Sequence, residues 1–178
     1  MEKQENKCDV SAADVEQMLT EYRKAVQRLF KSESSDLINN SSSRHASILI
    51  EEMILHAKSY FYAFAGRMNP DVWNVRVMAA LDAAVNRGVT VRLLVERECE
   101  PINIGIMPIS LRYAVRRCPE ELIKQEIAHC AVGDGRSLRI EMDAKTKTAV
   151  FSANNIKLAT DATGMLTRMF NNSIPYAA

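Results

Sequence analysis

The chain has 178 residues, of which 47% are apolar and 25% are charged, and its formal net charge is +1. This length and balance suit one globular domain with a sizeable core. The small net charge gives no argument from totals for a nucleic-acid or membrane-surface partner. No run of about 18 apolar residues is present, so no membrane-spanning helix is expected. The polar start "MEKQENKCDV" lacks the apolar stretch of a secretory signal, and we expect a cytoplasmic protein.

The N-terminal region is predicted to hold one helix between two polar segments. Residues 1–10 are expected to be disordered. Ser11 and Asp14 have the spacing of a capping box, and apolar residues then recur every three or four positions, which predicts a helix over residues 12–31. Its apolar stripe could pack on the domain's own core or bind a second copy or another partner. The Ser- and Asn-rich residues 31–45 are typical of a linker.

The next part of the chain alternates helices and strands. Residues 46–59 have helical spacing of their apolar side chains, and "YFYAFA" (60–65) is a continuous apolar run, as in a buried strand. A helix is predicted over about residues 71–86, followed by the strand "VTVRLLVE" (89–96). Strand, helix and strand with short joints indicate a βαβ unit, in which the two strands are parallel.

The second half of the chain is predicted to add further strands and a closing helix. Proline and glycine interrupt residues 99–119, where "ISLRYAVRR" (109–117) predicts a short helix. "IAHCAVGDG" (127–135) predicts a strand and a turn. The segments "RSLRIEMD" and "KTAVFSA" alternate around a polar tip at residues 143–145, as in a hairpin. "NIKLATDATGMLTRMFNN" (155–172) predicts the last helix, so the pattern is that of an α/β protein.

The sequence indicates neither a metal site nor a bound cofactor. Cys8, Cys99, Cys118 and Cys130 do not have metal-ligand spacing. We expect four free thiols, because cytosolic chains seldom carry disulfides. The "GDG" at residues 133–135 is followed by a strand pattern, whereas a dinucleotide-binding loop needs a helix at that point.

Several segments, taken in order, resemble the phospholipase D superfamily. "AALDAAVNRGVTVRLLVE" (79–96) fits an Ala-rich helix ending in Arg-Gly-Val and followed by a Val-x-Val-x-Leu-Leu strand. "VGDGRS" resembles the family's apolar strand ending in Asp-Gly, and "FSANN" (151–155) is similar to its Gly-Ser-x-Asn segment. The resemblance covers about residues 44–171 and implies a mixed sheet flanked by helices. It divides the chain into a tail, an N-terminal helix with its linker, a phospholipase D-like domain and a C-terminal tail (1–10, 11–43, 44–172 and 173–178).

The resemblance implies a phosphodiesterase site, but the catalytic residues of this family are incomplete here. Its signature is His-x-Lys-x4-Asp, in which the His attacks phosphorus and the Lys neutralises phosphoryl charge. Aligning Asp134 with the family's Asp places Ile127 at the nucleophile position and His129 at the lysine position. Aligning His129 as the nucleophile places Ala131 at the lysine position and Arg136 at the Asp position. Neither register restores the triad.

The sequence therefore predicts a degenerate domain, a pseudoenzyme that binds without catalysis. It would act as a binding or regulatory module for a phosphate-bearing ligand, nucleic acid or partner protein. His129 is the candidate catalytic residue, and Asp134, Ser152, Asn154 and Glu141 are the candidate ligand-binding residues. The alternative is an active homodimeric phosphodiesterase or nuclease that uses His129 from each subunit.

Each candidate residue also has an ordinary structural interpretation. His129 could be a half-buried strand histidine that is hydrogen-bonded to a neighbour. Glu141 and Asp143 share one face of a strand and could bind a cation, although a solvated hairpin face explains them as well. Asn154 or Asn155 could cap the last helix.

Overall fold

The computed structural model describes residues 11–97, 107–143, 146 and 148–176. The strands are β1 (Ile38–Asn40), β2 (Tyr60–Ala65), β3 (Thr90–Val95), β4 (Val115–Arg117), β5 (Cys130–Gly133), β6 (Ser137–Asp143), β7 (Thr148–Ser152) and β8 (Ile174–Pro175). The helices are α1 (Ala12–Lys31), α2 (Ser43–His56), α3 (Val75–Asn86), α4 (Ile109–Arg112), α5 (Glu120–Ile123) and α6 (Ile156–Asn171). The described strands form one mixed sheet in the order β1-β7-β6-β5-β2-β3-β4-β8. The predicted α/β class is confirmed. The predicted disordered tail, Cys8 and Cys99 lie outside the described residues.

The centre of the sheet is the predicted parallel pair. β2 and β3 pair in parallel along their whole length, and α3 connects them. The helix begins at Val75, later than expected, because Asn74 is its N-cap and accepts hydrogen bonds from the backbone of Arg76 and Val77. The carboxyl ends of β2 and β3 consequently lie at one edge of the sheet, the usual position of ligand sites in open α/β sheets.

The rest of the sheet on the β5 side is antiparallel, and this decides which residues meet. β5 pairs with β2, and β6, β7 and β1 follow in turn, each antiparallel to its neighbour. His129 just before β5 and Glu141 in β6 therefore lie beside the carboxyl end of β2. Asp134 and Ser152, which follow β5 and end β7, lie at the opposite edge.

Alternate residues of the central strands face two separate cores. The larger core lies under α2 and α3 and includes Phe61, Leu93 and Phe151. The smaller core lies under α6 and includes Leu94 and Val132. Helices therefore cover both faces of the sheet, as expected for parallel strands that are apolar on both sides. None of the described helices combines the length and the apolar character that a membrane crossing requires.

Three short strands were not expected from the sequence. The predicted helix over residues 109–117 is wrong beyond Arg112, because Val115–Arg117 pair with β3 as β4. Val115 is buried opposite Leu93, and this pairing outweighs helical propensity. β1 lies within the predicted linker, and β8 lies within the predicted C-terminal tail.

Helix α1 packs against the domain with its C-terminal half. Val26 is fully buried in the larger core. The ring of Tyr22 stacks on His45 with centroids 4.0 Å apart, and Phe30 stacks on His56 at 4.1 Å. The C-terminal half of α1 thus packs on the domain's own core. The N-terminal half leaves apolar surface exposed, such as Met18, and the binding of a partner there stays a prediction.

Candidate functional site

An open pocket of about 730 Å³ lies beyond the carboxyl ends of β2 and β3. The loops after these strands, the residues before β5, the end of β6 and the N-terminus of α2 line it. Phe64, Val72 and Trp73 contribute apolar surface, whereas Glu96 and His129 contribute charge. Its volume falls in the range of small-molecule sites.

His129 lies between two carboxylates. Its Nδ1 is 2.8 Å from Oε2 of Glu141, and its Nε2 is 3.1 Å from Oε2 of Glu96. Ionised carboxylates only accept hydrogen bonds, so both ring nitrogens must donate, and a histidine that donates from both is the imidazolium. The hydrogen bonds that the ring donates to Glu141 and Glu96 raise the pKa of His129, although burial opposes them. We call Glu96, His129 and Glu141 the histidine clamp.

The neighbouring backbone leaves the imidazole ring little room to move. The backbone N–H of Glu96 donates to the carbonyl oxygens of Ala65 and Gly66, which fixes the start of the loop after β3. A Cβ atom on Gly66 would lie only 3.2 Å from Cε1 of His129. The ring of Phe64 meets the imidazole edge-on, with centroids 5.1 Å apart. A larger residue at position 66 would therefore press against the imidazole ring.

The histidine clamp predicts a pH window for stability. His129 has a folded pKa above 6.5, so its contribution is full below pH 6.5 and is lost as pH rises through the raised value. The hydrogen bond to His129 lowers the pKa of Glu141 below 4.5, so that contribution is present above pH 4.5 and lost as pH falls through the lowered value. His129→Gln should cost about 2 kcal/mol near pH 5.5 and clearly less near pH 9, measured by urea unfolding. An equal cost at both pH values would contradict the ion pairs.

The clamp limits the chemistry that this pocket can perform. A histidine attacks phosphorus through an unprotonated ring nitrogen, whereas both nitrogens of His129 are committed to carboxylates. The three groups together carry a net charge of −1, which disfavours a phosphate directly beside them. No group of His, Cys, Asp and Glu among the described residues is arranged to hold a metal ion.

Comparison with known proteins supports the fold at low sequence identity. No protein-family model and no curated protein sequence matches the chain significantly. Nuc, a phospholipase D family member from Salmonella typhimurium, matches with a TM-score of 0.56 and 18% identity, over 80% of this chain and 99% of Nuc. NucT from Helicobacter pylori matches with a TM-score of 0.53 and 12% identity, over 79% of this chain and 100% of NucT. The chain has a phospholipase D-like fold.

A third solved structure matches a larger share of this chain. TrmBL2, an archaeal chromatin protein that shows a novel mode of DNA binding, matches with a TM-score of 0.62 and 14% identity. The match covers 91% of this chain, a share too large to leave out all of α1, and 65% of TrmBL2. This chain thus spans less than two thirds of TrmBL2. At these identities the likeness shows the fold alone.

In this phospholipase D-like domain, Asp134 lies away from the pocket and holds the backbone. Its carboxylate accepts hydrogen bonds from the backbone N–H groups of Lys58, Ser59 and Tyr60 at 2.7–2.9 Å. Its backbone φ of 52° is in the left-handed region, which Asp tolerates better than most residues. Asp134 therefore anchors the turn after β5 to the start of β2.

Ser152 and Asn154 also lie at the opposite edge of the sheet from His129. Ser152 is fully buried, and its Oγ has no hydrogen-bond partner among the described residues. The side-chain amide of Asn154 donates to the backbone oxygen of Glu33, and Asn155 caps α6 by accepting from the N–H of Leu158. Of the predicted binding residues, only Glu141 lies beside His129. The antiparallel order explains the separation, because β6 runs back toward His129 whereas β5 and β7 run away from it.

The unpartnered hydroxyl of Ser152 predicts that its removal raises the free energy of unfolding. Ser152→Ala removes a buried polar atom and leaves the shape of the site almost unchanged. We expect it to stabilise the fold by about 1 kcal/mol, because no hydrogen bond is lost. Thermal and urea unfolding of the two proteins test this. A destabilisation of similar size would show that Oγ has a partner, such as an ordered water.

Three pocket residues were missed at the level of sequence. Glu96 follows a parallel strand directly, and that position is itself a signal for functional side chains. Arg139 is a charged residue on the same face of β6 as Glu141, two residues away. Trp73 lies in the loop before α3 and is the only tryptophan of the chain. None belongs to the family signature, so the resemblance did not point to them.

Proposed function

We propose that this phospholipase D-like domain does not cleave phosphodiesters and serves as a binding or regulatory module. The observation that carries the proposal is the histidine clamp, in which Glu96 and Glu141 engage both ring nitrogens of His129. Such an imidazolium has no lone pair for attack on phosphorus. The pocket remains open and has apolar walls, which favours binding.

The other positions of the family signature support the same proposal. Ile127 lines the pocket where the nucleophile would stand in the Asp134 register, and an isoleucine cannot attack phosphorus. Ala131 occupies the lysine position in the alternative register, and it is buried in the sheet. In either register the pocket lacks the lysine that would neutralise phosphoryl charge.

A homodimeric phosphodiesterase is the alternative, and it would need His129 of two copies to face one phosphate. The carboxylates of Glu96 and Glu141 stand on either side of that ring and would repel the phosphate. Nucleic acid and a partner protein are further proposed ligands, and the likeness to TrmBL2 supports nucleic acid by its fold alone. Size-exclusion chromatography with light scattering and absorbance at 260 and 280 nm reports both a dimer and co-purifying nucleic acid.

Hydrolysis of bis(p-nitrophenyl) phosphate and of plasmid DNA tests the proposal. We expect the purified protein to release product no faster than buffer, and His129→Ala to behave identically. A commercial phosphodiesterase serves as the positive control. Hydrolysis by the wild-type protein that His129→Ala abolishes would overturn the proposal and favour the dimeric enzyme, provided that light scattering shows a dimer.

A further inference from the structure

One wall of the pocket holds a half-buried cation, Arg139, with an incomplete set of partners. Arg139 lines the pocket from β6, and its Nε donates to Oδ1 of Asn40 at 3.2 Å. Within the part of the chain that the structure describes, no carboxylate lies within the 4.0 Å of an ion pair with this guanidinium. Burial lowers the pKa of Arg139, although Glu141 opposes this. An arginine stays charged nonetheless, and a half-buried guanidinium without an ion pair is a favourable position for an anion.

The nearest acidic group does not meet this need. Glu141 lies on the same face of β6, but its Oε2 is hydrogen-bonded to Nδ1 of His129 at 2.8 Å. Glu96 is likewise hydrogen-bonded to the other nitrogen of the ring. The histidine clamp therefore leaves the guanidinium of Arg139 without an ion pair to either carboxylate. An anion that entered the pocket could supply the missing partner.

The N-terminus of α2 adds to the positive potential beside Arg139. The N-cap Ser42 and the helix residues Ser43 and Ala46 line the same pocket, and α2 has 14 residues. No acidic residue stands in its first turn, so nothing offsets the positive end of the helix there. Asn40 connects the two features, because its side-chain amide donates to the backbone oxygen of Ser42 while its oxygen accepts from Arg139. The side chain of Asn40 thus links the guanidinium of Arg139 to the N-terminus of α2.

We propose that the pocket binds a small organic anion, with its acidic head on Arg139 and its apolar body against Trp73 and Phe64. The inference rests on the proposed function, since a pocket that binds without cutting needs a ligand of definite chemistry. A volume of about 730 Å³ accommodates such a molecule. The net negative charge of the neighbouring histidine clamp opposes a polyanion such as a phosphodiester chain crossing the pocket. A carboxylate and a phosphate monoester share the required chemistry.

The fluorescence of Trp73 gives a direct test, because this residue is the only tryptophan and it lines the pocket. Three probes share a phenyl body and differ in the head: benzoate, phenyl phosphate and the neutral benzyl alcohol. We expect saturable fluorescence changes with one or both anions and little change with benzyl alcohol. Arg139→Gln should weaken anion binding by roughly tenfold to a hundredfold, the range for a lost charge-assisted hydrogen bond. Tighter binding of benzoate than of phenyl phosphate would indicate a carboxylate ligand, and the reverse a phosphate monoester.

Arg136→Gln is the matched control, because Arg136 lies in the preceding turn, outside the pocket, and pairs with Glu33. It should bind the anions like the wild-type protein. Equal responses to all three probes, no response to any, or unchanged binding by Arg139→Gln would each overturn the inference. If Arg139→Gln does not fold, Arg139→Lys keeps the charge and should retain binding within about tenfold, while the probe comparison on the wild-type protein decides by itself. These results would not contradict the proposed function, because only phosphodiester hydrolysis that depends on His129 would contradict it.

Discussion

Arg23→Gln is expected to lower the free energy of unfolding by about 3 kcal/mol, because it removes the main charged partner of a buried carboxylate. Arg23 on α1 donates to Glu51 and to Glu52 on α2, both at 2.8 Å. The side chain of Glu52 is only 2% exposed. Its other side-chain donor is the neutral amide of Gln27. The substitution therefore leaves this buried carboxylate with the amide of Gln27 and with Nδ1 of His56, which lies 3.8 Å from Oε2 of Glu52.

Arg76→Gln provides the matched control for this prediction. Arg76 pairs with the same Glu51 at 3.2 Å, but its own side chain is 63% exposed. We expect a loss of less than about 1 kcal/mol, as for other surface ion pairs. Urea unfolding of both variants at neutral pH measures the difference. If the free energy of unfolding falls as little in Arg23→Gln as in Arg76→Gln, the pairs of Arg23 with Glu51 and Glu52 do not hold α1 to the domain.

Asp134→Ala is expected to cost about 3 kcal/mol, from lost charge-assisted hydrogen bonds and from a left-handed backbone that alanine disfavours. The carboxylate accepts three backbone hydrogen bonds at the start of β2, and the residue has a φ of 52°. Asp134→Gly should recover about 1 kcal/mol of this loss, because glycine adopts a positive φ freely. Asp134→Asn, which tolerates the backbone and keeps one acceptor, should lose least.

The ranking of these three variants separates the two causes. Thermal unfolding monitored by circular dichroism gives the ranking directly. Binding of benzoate should be the same in Asp134→Asn and in the wild-type protein, because Asp134 does not line the pocket. Weaker binding of benzoate by a well-folded Asp134→Asn would indicate that Asp134 takes part in ligand binding.

Much of the fold could be predicted from local sequence signals. The apolar run of β2, the β-branched β3 and the helix between them predict the parallel pair, because each element has its own periodicity. The capping box of Ser11 and Asp14 is present at the start of α1. β4 could not be predicted, since Val115–Arg117 pair only because β3 offers an open edge. Such pairing is a tertiary effect that propensity does not contain.

The site was harder to predict than the fold, and the reason is topological. The sequence singled out His129 and Glu141 separately, but their contact depends on the register between β5 and β6. The register between β6 and β7 pairs Ser152 with Leu138, three positions along β6 from Glu141 and toward the other edge of the sheet. Glu96, which is 33 positions from His129 in the sequence, contacts it across the end of β2. The family signature could not indicate the contacts of His129 with Glu96 and Glu141, because neither glutamate belongs to the signature.

The protonation state of His129 tests the central claim most directly. Nitrogen-15 NMR of the imidazole ring, recorded across a pH titration, reports whether each ring nitrogen carries a proton. We predict that both are protonated at about pH 7 and that the ring titrates above its usual pKa of 6.5. A neutral ring at that pH, with one unprotonated nitrogen and a pKa at or below 6.5, would contradict the histidine clamp and leave a nitrogen free for attack on phosphorus.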